Sequence, residues 1–184
     1  MNLLREDIRP SDILTRKAFE NAVTLVVALG GSTNSASHRP AMARAAGIHI
    51  DWQDLSELSA IIPLLARVYP NGSGDVNHFH AAGGIGFVIR ELAGAGLLHT
   101  DILTVSGQSL LDYAVEPVLD EAGALGFVPS PEVTRDEAML RPVSAAFQPD
   151  GGMRLVEGNL GRGIVQTSAV DPSRWIIEAP ARAF

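Results

Sequence analysis

The sequence predicts an α/β chain, and three observations carry that prediction. Residues 16–98 place apolar residues at helical spacing, punctuated by capping residues, glycine and proline. Residues 153–170 hold two short runs of strand-favouring residues around Asn159-Leu160-Gly161-Arg162, which predicts a hairpin or a short crossover. Between them, residues 121–148 are rich in Gly, Pro and Glu with little periodicity, and read as a linker or a long surface connection.

Composition limits what such a chain can do. With 184 residues, 46% of them hydrophobic and 19% charged, it can bury a real core. A net charge of −7 leaves no basic stripe to replace the counterions of a phosphate backbone, which argues against a nucleic-acid partner. A small anionic ligand needs only a local site and stays open. Cysteine is absent, which removes disulfides, a thiolate nucleophile and thiolate-held zinc or iron–sulfur centres from this chain. No apolar run approaches the roughly 20 residues that span a bilayer, and no signal-peptide pattern opens the sequence, so a cytoplasmic protein without a membrane partner is expected.

Each element follows from local chemistry. Pro10-Ser11-Asp12 reads as a turn, and Thr15 as a cap for a helix over 16–29 that is buried on most sides. A strand over 24–29 is the alternative. Residues 34–46 form a small-residue helix stopped by Gly47. Asp51 starts the next helix, where Asp51, Asp54 and Glu57 suit the positive end of the dipole and Trp52 packs it down. Pro63 ends it. Residues 64–69 read as strand or extended chain running into a turn at Pro70-Asn71-Gly72. A helix over 85–98 carries Phe87, Val88, Glu91, Leu92 and Ala95 on one face and stops at Gly96. Residues 101–107 read as a strand, 108–119 as a short helix interrupted by Pro117, and 175–178 as a third strand near the C-terminus.

The chain is organised around Leu29-Gly30-Gly31-Ser32-Thr33-Asn34. Two glycines allow positive φ or close backbone approach, and three hydroxyl or amide side chains follow at a helix start. Backbone N–H groups there carry partial positive charge, so a carboxylate or phosphate is favoured. The simpler reading is that the glycines end one helix while Ser32, Thr33 or Asn34 caps the next. Asn71 and His78 are further substrate-facing candidates. His78 and His80 invite a metal reading, but i,i+2 spacing on a helix points them apart, and no third ligand stands at suitable spacing. No metal ligand and no catalytic residue is assigned.

With those residues laid out, the chain resembles the dihydroxyacid and phosphogluconate dehydratase family. Ile13-Leu14-Thr15-Arg16 and Phe19-Glu20-Asn21-Ala22, followed by Gly30-Gly31-Ser32-Thr33-Asn34, are similar to a segment late in the family's N-terminal domain. Pro63-Leu64-Leu65-Ala66-Arg67-Val68-Tyr69-Pro70-Asn71-Gly72 and Asp75-Val76-Asn77-His78-Phe79 are closer to the 6-phosphogluconate branch, as is Ile177-Glu178-Ala179-Pro180-Ala181-Arg182. Gly151-Gly152-Met153-Arg154-Leu155 and Glu157-Gly158-Asn159-Leu160-Gly161-Arg162 resemble the opening of the family's β-barrel-like C-terminal domain.

The resemblance implies the end of an α/β N-terminal domain over 1–120, a connection over 121–148 and the first strands of a C-terminal β domain over 149–184. It implies removal of water from a 2,3-dihydroxy acid, most specifically 6-phospho-D-gluconate, to give a 2-keto-3-deoxy acid. In the complete enzyme it implies an iron–sulfur cluster, a divalent cation and a homodimer. The family's cluster cysteines lie upstream of this stretch and its base downstream, so the resemblance implies a central fragment, inactive alone. Gln166, where the family's strand is expected to hold lysine, and residues 35–39 depart from the pattern. A stand-alone anion-binding module without catalysis and an unrelated α/β domain are the competing readings.

Overall fold

The computed structural model describes residues 2–107, 109–180 and 182. Helices lead: α1 (Asn2–Arg5), α2 (Pro10–Ile13), α3 (Arg16–Ala28), α4 (Ser35–Ala45), α5 (Trp52–Ile61), α6 (Val76–Ala82) and α7 (Gly84–Gly94). Two antiparallel hairpins follow, β1 (Val115–Leu119) with β2 (Leu125–Pro129) and β3 (Met153–Gly158) with β4 (Gly161–Gln166). The result is mixed helix and strand with small sheets.

At the centre runs an extended segment, residues 62–68, with Ile62, Leu64, Leu65 and Ala66 at most 1% exposed. A buried extended chain must find partners for every N–H and C=O. Here the partners come from several directions. Leu65 N donates to the Ala28 carbonyl at the end of α3 (2.7 Å), Arg67 N to Met139 O (2.9 Å) and Leu64 N to Gln148 O (3.0 Å), while Arg141 N and Phe147 N donate back to Leu65 O and Leu64 O. Around this segment pack Phe19, Val23 and Val27 of α3, Leu55 of α5 and Phe87, Val88 and Leu92 of α7.

Local chemistry sets the helix ends. Thr15 Oγ1 accepts from Ala18 N and starts α3, so the alternative strand over 24–29 is not formed. Asp51 accepts from Gln53 N and Asp54 N, and the Asp54 carboxylate accepts in turn from Asp51 N, a reciprocal capping box on α5. Trp52 ties α5 to α4 by donating its Nε1–H to Ala36 O at 2.9 Å. The same helix holds the second hairpin: Ser59 Oγ accepts from Met153 N and Ser56 Oγ from Leu155 N, so two serine hydroxyls satisfy N–H groups of β3. Of the two expected connections over 159–162, the hairpin is the one observed.

Several expectations are corrected. Residues 10–13 form the short helix α2 rather than a turn, with proline at its first position, where its missing N–H costs nothing. Residues 101–107 are not a strand: Thr104 and Ser106 hydrogen-bond each other and Gly107 N closes a turn on Thr104 O. The helix expected over 108–119 is one 3₁₀ turn, Leu110–Tyr113, followed by strand β1; Gln108 lies outside the described residues. Residues 121–148 are no free linker, because they contain β2 and because Met139 and Leu140 are buried in the core. Pro117 and Pro129 stand within β1 and β2 because a two-stranded sheet has outward edges where a missing N–H is tolerated. Residues 175–178 are exposed and irregular after a 3₁₀ turn, Pro172–Arg174, with no third strand among the described residues.

Candidate functional site

The turn after α3 is closed by Gly30 N on Val27 O and Gly31 N on Val26 O. Gly30 adopts φ +64°, and a Cβ there would overlap the Asn71 amide. Both facts require glycine. The Gly30 carbonyl accepts from Asn71 Nδ2 and from Gln166 Nε2 (2.8 Å), while Ser168 Oγ donates to Asn71 Oδ1 (3.3 Å). Two distant pieces of chain, at Asn71 and at Gln166–Ser168, thus converge on one peptide group, and the turn is held from behind.

Beyond this brace, Ser32, Thr33 and Asn34 are exposed. Asn34 occupies the N-cap of α4 without a side-chain capping bond. The early N–H groups of α4 go to backbone carbonyls instead: Ser35 N to Ser32 O, Ala36 N to Thr33 O, Ser37 N and His38 N to Asn34 O. Ser32 Oγ accepts from Asn34 N at 3.2 Å. Ser32 is thus tied into its own turn rather than capping α4, and the Thr33 hydroxyl and the Asn34 amide make no side-chain hydrogen bond among the described residues. One turn into α4, Arg39 is half-buried, and burial pulls its guanidinium below the usual range.

Asn71 opens a second turn. Asn71 N donates to Val68 O and Tyr69 N to Gly74 O, bending residues 69–74 against the central segment. A Cβ at Gly72 would strike the Arg67 carbonyl, and one at Gly74 would strike Met139. A cleft of about 320 Å³ opens there, lined by Arg67, Ser73, His78, Asp136 and Met139 among others. His78 belongs to α6, whose N-cap Asp75 accepts from Asn77 N and His78 N. Its ring Nδ1 lies 2.8 Å from Asp75 Oδ1, so the ring's other nitrogen is left for the cleft or solvent. The His78 backbone N–H, then the His78 ring, holds the Asp75 carboxyl below the usual carboxylate range.

Two arginines share one aromatic ring, and one of them, Arg67, lines this cleft. Arg67 Cζ stands 4.7 Å and Arg141 Cζ 4.3 Å from the Phe147 ring centroid. Arg141 and Phe147 fell in the stretch read as linker, and their meeting with Arg67 depends on pairing that no local pattern announces. Gln166 stands where the resemblance implied lysine, and its role as a donor to Gly30 was not legible in the sequence.

A further groove of about 350 Å³ lies between α3 and α5, lined by Arg16, Glu20, Asp54, Glu57 and apolar side chains. Its arginine is already committed to Glu20 (2.7 Å) and Asp54 (3.3 Å). Among the described residues that groove has no free cation for an acidic ligand.

The donor set does not fit a resident cluster or metal. The sequence has no cysteine, and among the described residues no group of three or more His, Cys, Asp or Glu side chains could hold a metal ion. His78 and His80 both lie on α6 at i,i+2 spacing. No helix among the described residues is long and apolar enough to cross a membrane.

The braced, uncharged turn over 29–34 abuts, through Asn71, the turn that borders the cleft lined by Arg67, His78 and Asp136. The chain belongs to the dihydroxy-acid/6-phosphogluconate dehydratase family, whose N-terminal domain matches residues 1–113. It is 51% identical over 95% of its length to a phosphogluconate dehydratase from Pseudomonas aeruginosa, and 48% identical over 97% to one from Zymomonas mobilis. A dihydroxy-acid dehydratase from Acetivibrio thermocellus is 37% identical over the whole chain. The chain spans 28%, 30% and 31% of the length of these relatives, respectively.

Proposed function

We propose that the complete protein is a hydro-lyase that dehydrates 6-phospho-D-gluconate to 2-keto-3-deoxy-6-phosphogluconate and water, and that this chain supplies part of its substrate-binding surface. The observation that carries the reading is the higher identity to phosphogluconate dehydratases, 51% and 48% against 37% for the dihydroxy-acid enzyme. The reaction removes a proton from C2 and hydroxide from C3, and the resulting enol becomes the 2-keto group. Both bonds break reluctantly, so positive charge must stabilise the departing hydroxide and the developing enolate.

This chain supplies neither a cluster ligand nor a base, and is inactive alone. In the complete enzyme the iron–sulfur cluster and divalent cation are held by residues outside it. The residues here bind and orient. Thr33 and Asn34, with Ser32 beside them, offer hydroxyl and amide partners to a polyhydroxy acid; Asn71 acts chiefly by fixing the Gly30 peptide, and His78 faces the neighbouring cleft.

We assign residues 1–120 to the end of the N-terminal domain, 121–148 to a connection that packs against it, and 149–184 to the first strands of a β-barrel-like domain. The family match ending at residue 113 supports the first boundary, and the open edges of the β3–β4 pair support the last. The complete enzyme is read as a cytoplasmic homodimer. The test is turnover: the complete protein should form a 2-keto acid from 6-phosphogluconate faster than from a branched 2,3-dihydroxy acid, and the reverse preference would overturn the assignment.

A further inference from the structure

We propose that the cleft beside Arg67 is the subsite for the phosphate group of the substrate, with Arg67 as its principal ligand, Arg141 as a second cation and Ser73 and His78 as hydrogen-bonding partners. This rests on the reading of the complete protein as a 6-phosphogluconate dehydratase and goes further by assigning one end of the substrate to named residues.

The pairing of cations is the first observation. The arginines in defined ion pairs include Arg16 with Glu20, Arg135 with Glu116, Arg154 with Asp150 and Arg162 with Glu157. Arg67 and Arg141 have no such pair among the described residues. Arg141 donates Nε–H to the Glu137 carbonyl, and Arg67 makes no side-chain hydrogen bond there. Instead, both guanidiniums lie against Phe147, which holds each through its face and leaves N–H groups at the edges unused. A phosphate monoester, near −2 at neutral pH with three acceptor oxygens, matches the uncommitted guanidinium fork of Arg67, and Arg141 adds positive charge across the shared ring.

The cleft is the second observation. Its volume of about 320 Å³ suits one end of a small ligand, and Ser73 and His78 line it with Arg67. Asp136 is the lining residue of opposite sign; its Oδ1 accepts from Ala138 N at 2.9 Å and is engaged in its own loop. Position is the third. Asn71 bonds Gly30 directly, so the cleft's turn abuts the turn that exposes Thr33 and Asn34. A linear phosphosugar acid laid across both would put its phosphate among the cations and its hydroxyls along the neutral turn.

The experiment uses the complete enzyme. Arg67→Gln keeps length and planarity without charge and should raise KM for 6-phosphogluconate by about 30-fold, while moving the inhibition constant of unphosphorylated gluconate less than about 2-fold. Arg67→Lys should recover part of the loss. Arg141→Gln, the second variant if Arg67→Gln does not fold, should raise KM by about 5-fold with the same selectivity. Equal losses for both compounds, or no loss for either, would overturn the subsite and leave the dehydratase reading standing. If the wild-type enzyme does not turn over 6-phosphogluconate, that reading fails, and inorganic phosphate titrated by calorimetry decides the cleft separately: binding weakened in Arg67→Gln supports it, and no binding to wild type overturns it.

Discussion

The two glycine-rich turns that meet at Asn71 spend their polar groups differently. In residues 29–34 the backbone is braced, and the side chains of Thr33 and Asn34 are left to solvent. In residues 69–74 the Asn71 side chain is itself the brace, and Arg67 and His78 stand beyond it around a cleft. One turn presents neutral donors and acceptors; the other borders a cleft lined by the charged side chains of Arg67 and Asp136. The difference teaches that a polar turn residue is read best by where its hydrogen bonds already go. Asn34 and Asn71 are the same amide, but one is uncommitted and the other is occupied on both its nitrogen and its oxygen.

The severest way to break that contrast is Gly30→Ala. An alanine at φ +64° costs about 1 kcal/mol by itself, and its Cβ must push the Asn71 amide off the Gly30 carbonyl, adding about 1–2 kcal/mol. Gly47 is the control, with φ +75° and nothing within 4 Å of the place a methyl group would take. Denaturant melts should therefore show Gly47→Ala losing only the backbone part, about 1 kcal/mol. Equal losses at the two positions would mean that the brace is not felt.

Asn71 and Gln166 sharpen the same point through a double-mutant cycle. Each donates to the Gly30 oxygen, so either alanine variant alone leaves that carbonyl one partner and should cost about 1 kcal/mol. Removing both strands a part-buried acceptor, and the double variant should lose more than the singles combined, by about 0.5–1 kcal/mol. Strict additivity would show that water replaces either amide without penalty.

Thr33→Val tests the neutral turn in the complete enzyme. The hydroxyl has no partner among the described residues, so its loss should leave the melting temperature nearly unchanged while lowering kcat/KM by an amount equivalent to about 1 kcal/mol. A lowered melting temperature with kcat/KM preserved would assign Thr33 to structure.

What was legible in the sequence follows from how far each contact reaches along the chain. Thr15 and Asp51 cap helices through N–H groups two or three residues away, so their roles are written in adjacent letters. The exposed polar turn at 32–34 was legible for the same reason. Strands β1 and β2 were not: Pro117 and Pro129 speak against strands locally, and only the pairing of Val115 with Pro129 and Leu119 with Leu125 makes them one hairpin. Leu140 is buried because its neighbours donate to and accept from the 65–67 backbone, not because its own surroundings are apolar. The Arg67–Phe147–Arg141 group depends on that same long-range pairing, and the commitment of Asn71 to Gly30 depends on two turns meeting.

The smallest expected effect concerns the α6 N-cap beside the cleft, where Asp75 supports the residue that presents His78. The folded carboxyl is held below its ordinary range, first by the His78 backbone N–H and then by the His78 ring. A depressed folded pKa means that the unfolded chain binds the proton more readily, so the stabilisation is present above the ordinary carboxylate range, near pH 4, and is lost as pH falls through the lower folded value. Asp75→Asn isolates it. Asparagine keeps a side-chain oxygen for the Asn77 and His78 N–H groups and is itself a good N-cap, but it carries no charge for the ring or the helix dipole. Wild type should therefore melt slightly above the variant at pH 6, and the gap should close as pH falls below about 4. The exposed position and salt screening keep the gap small. A difference that stays constant from pH 6 to pH 3 would show that the cap acts through its oxygen alone, and that the Asp75–His78 contact carries no charge-dependent stability.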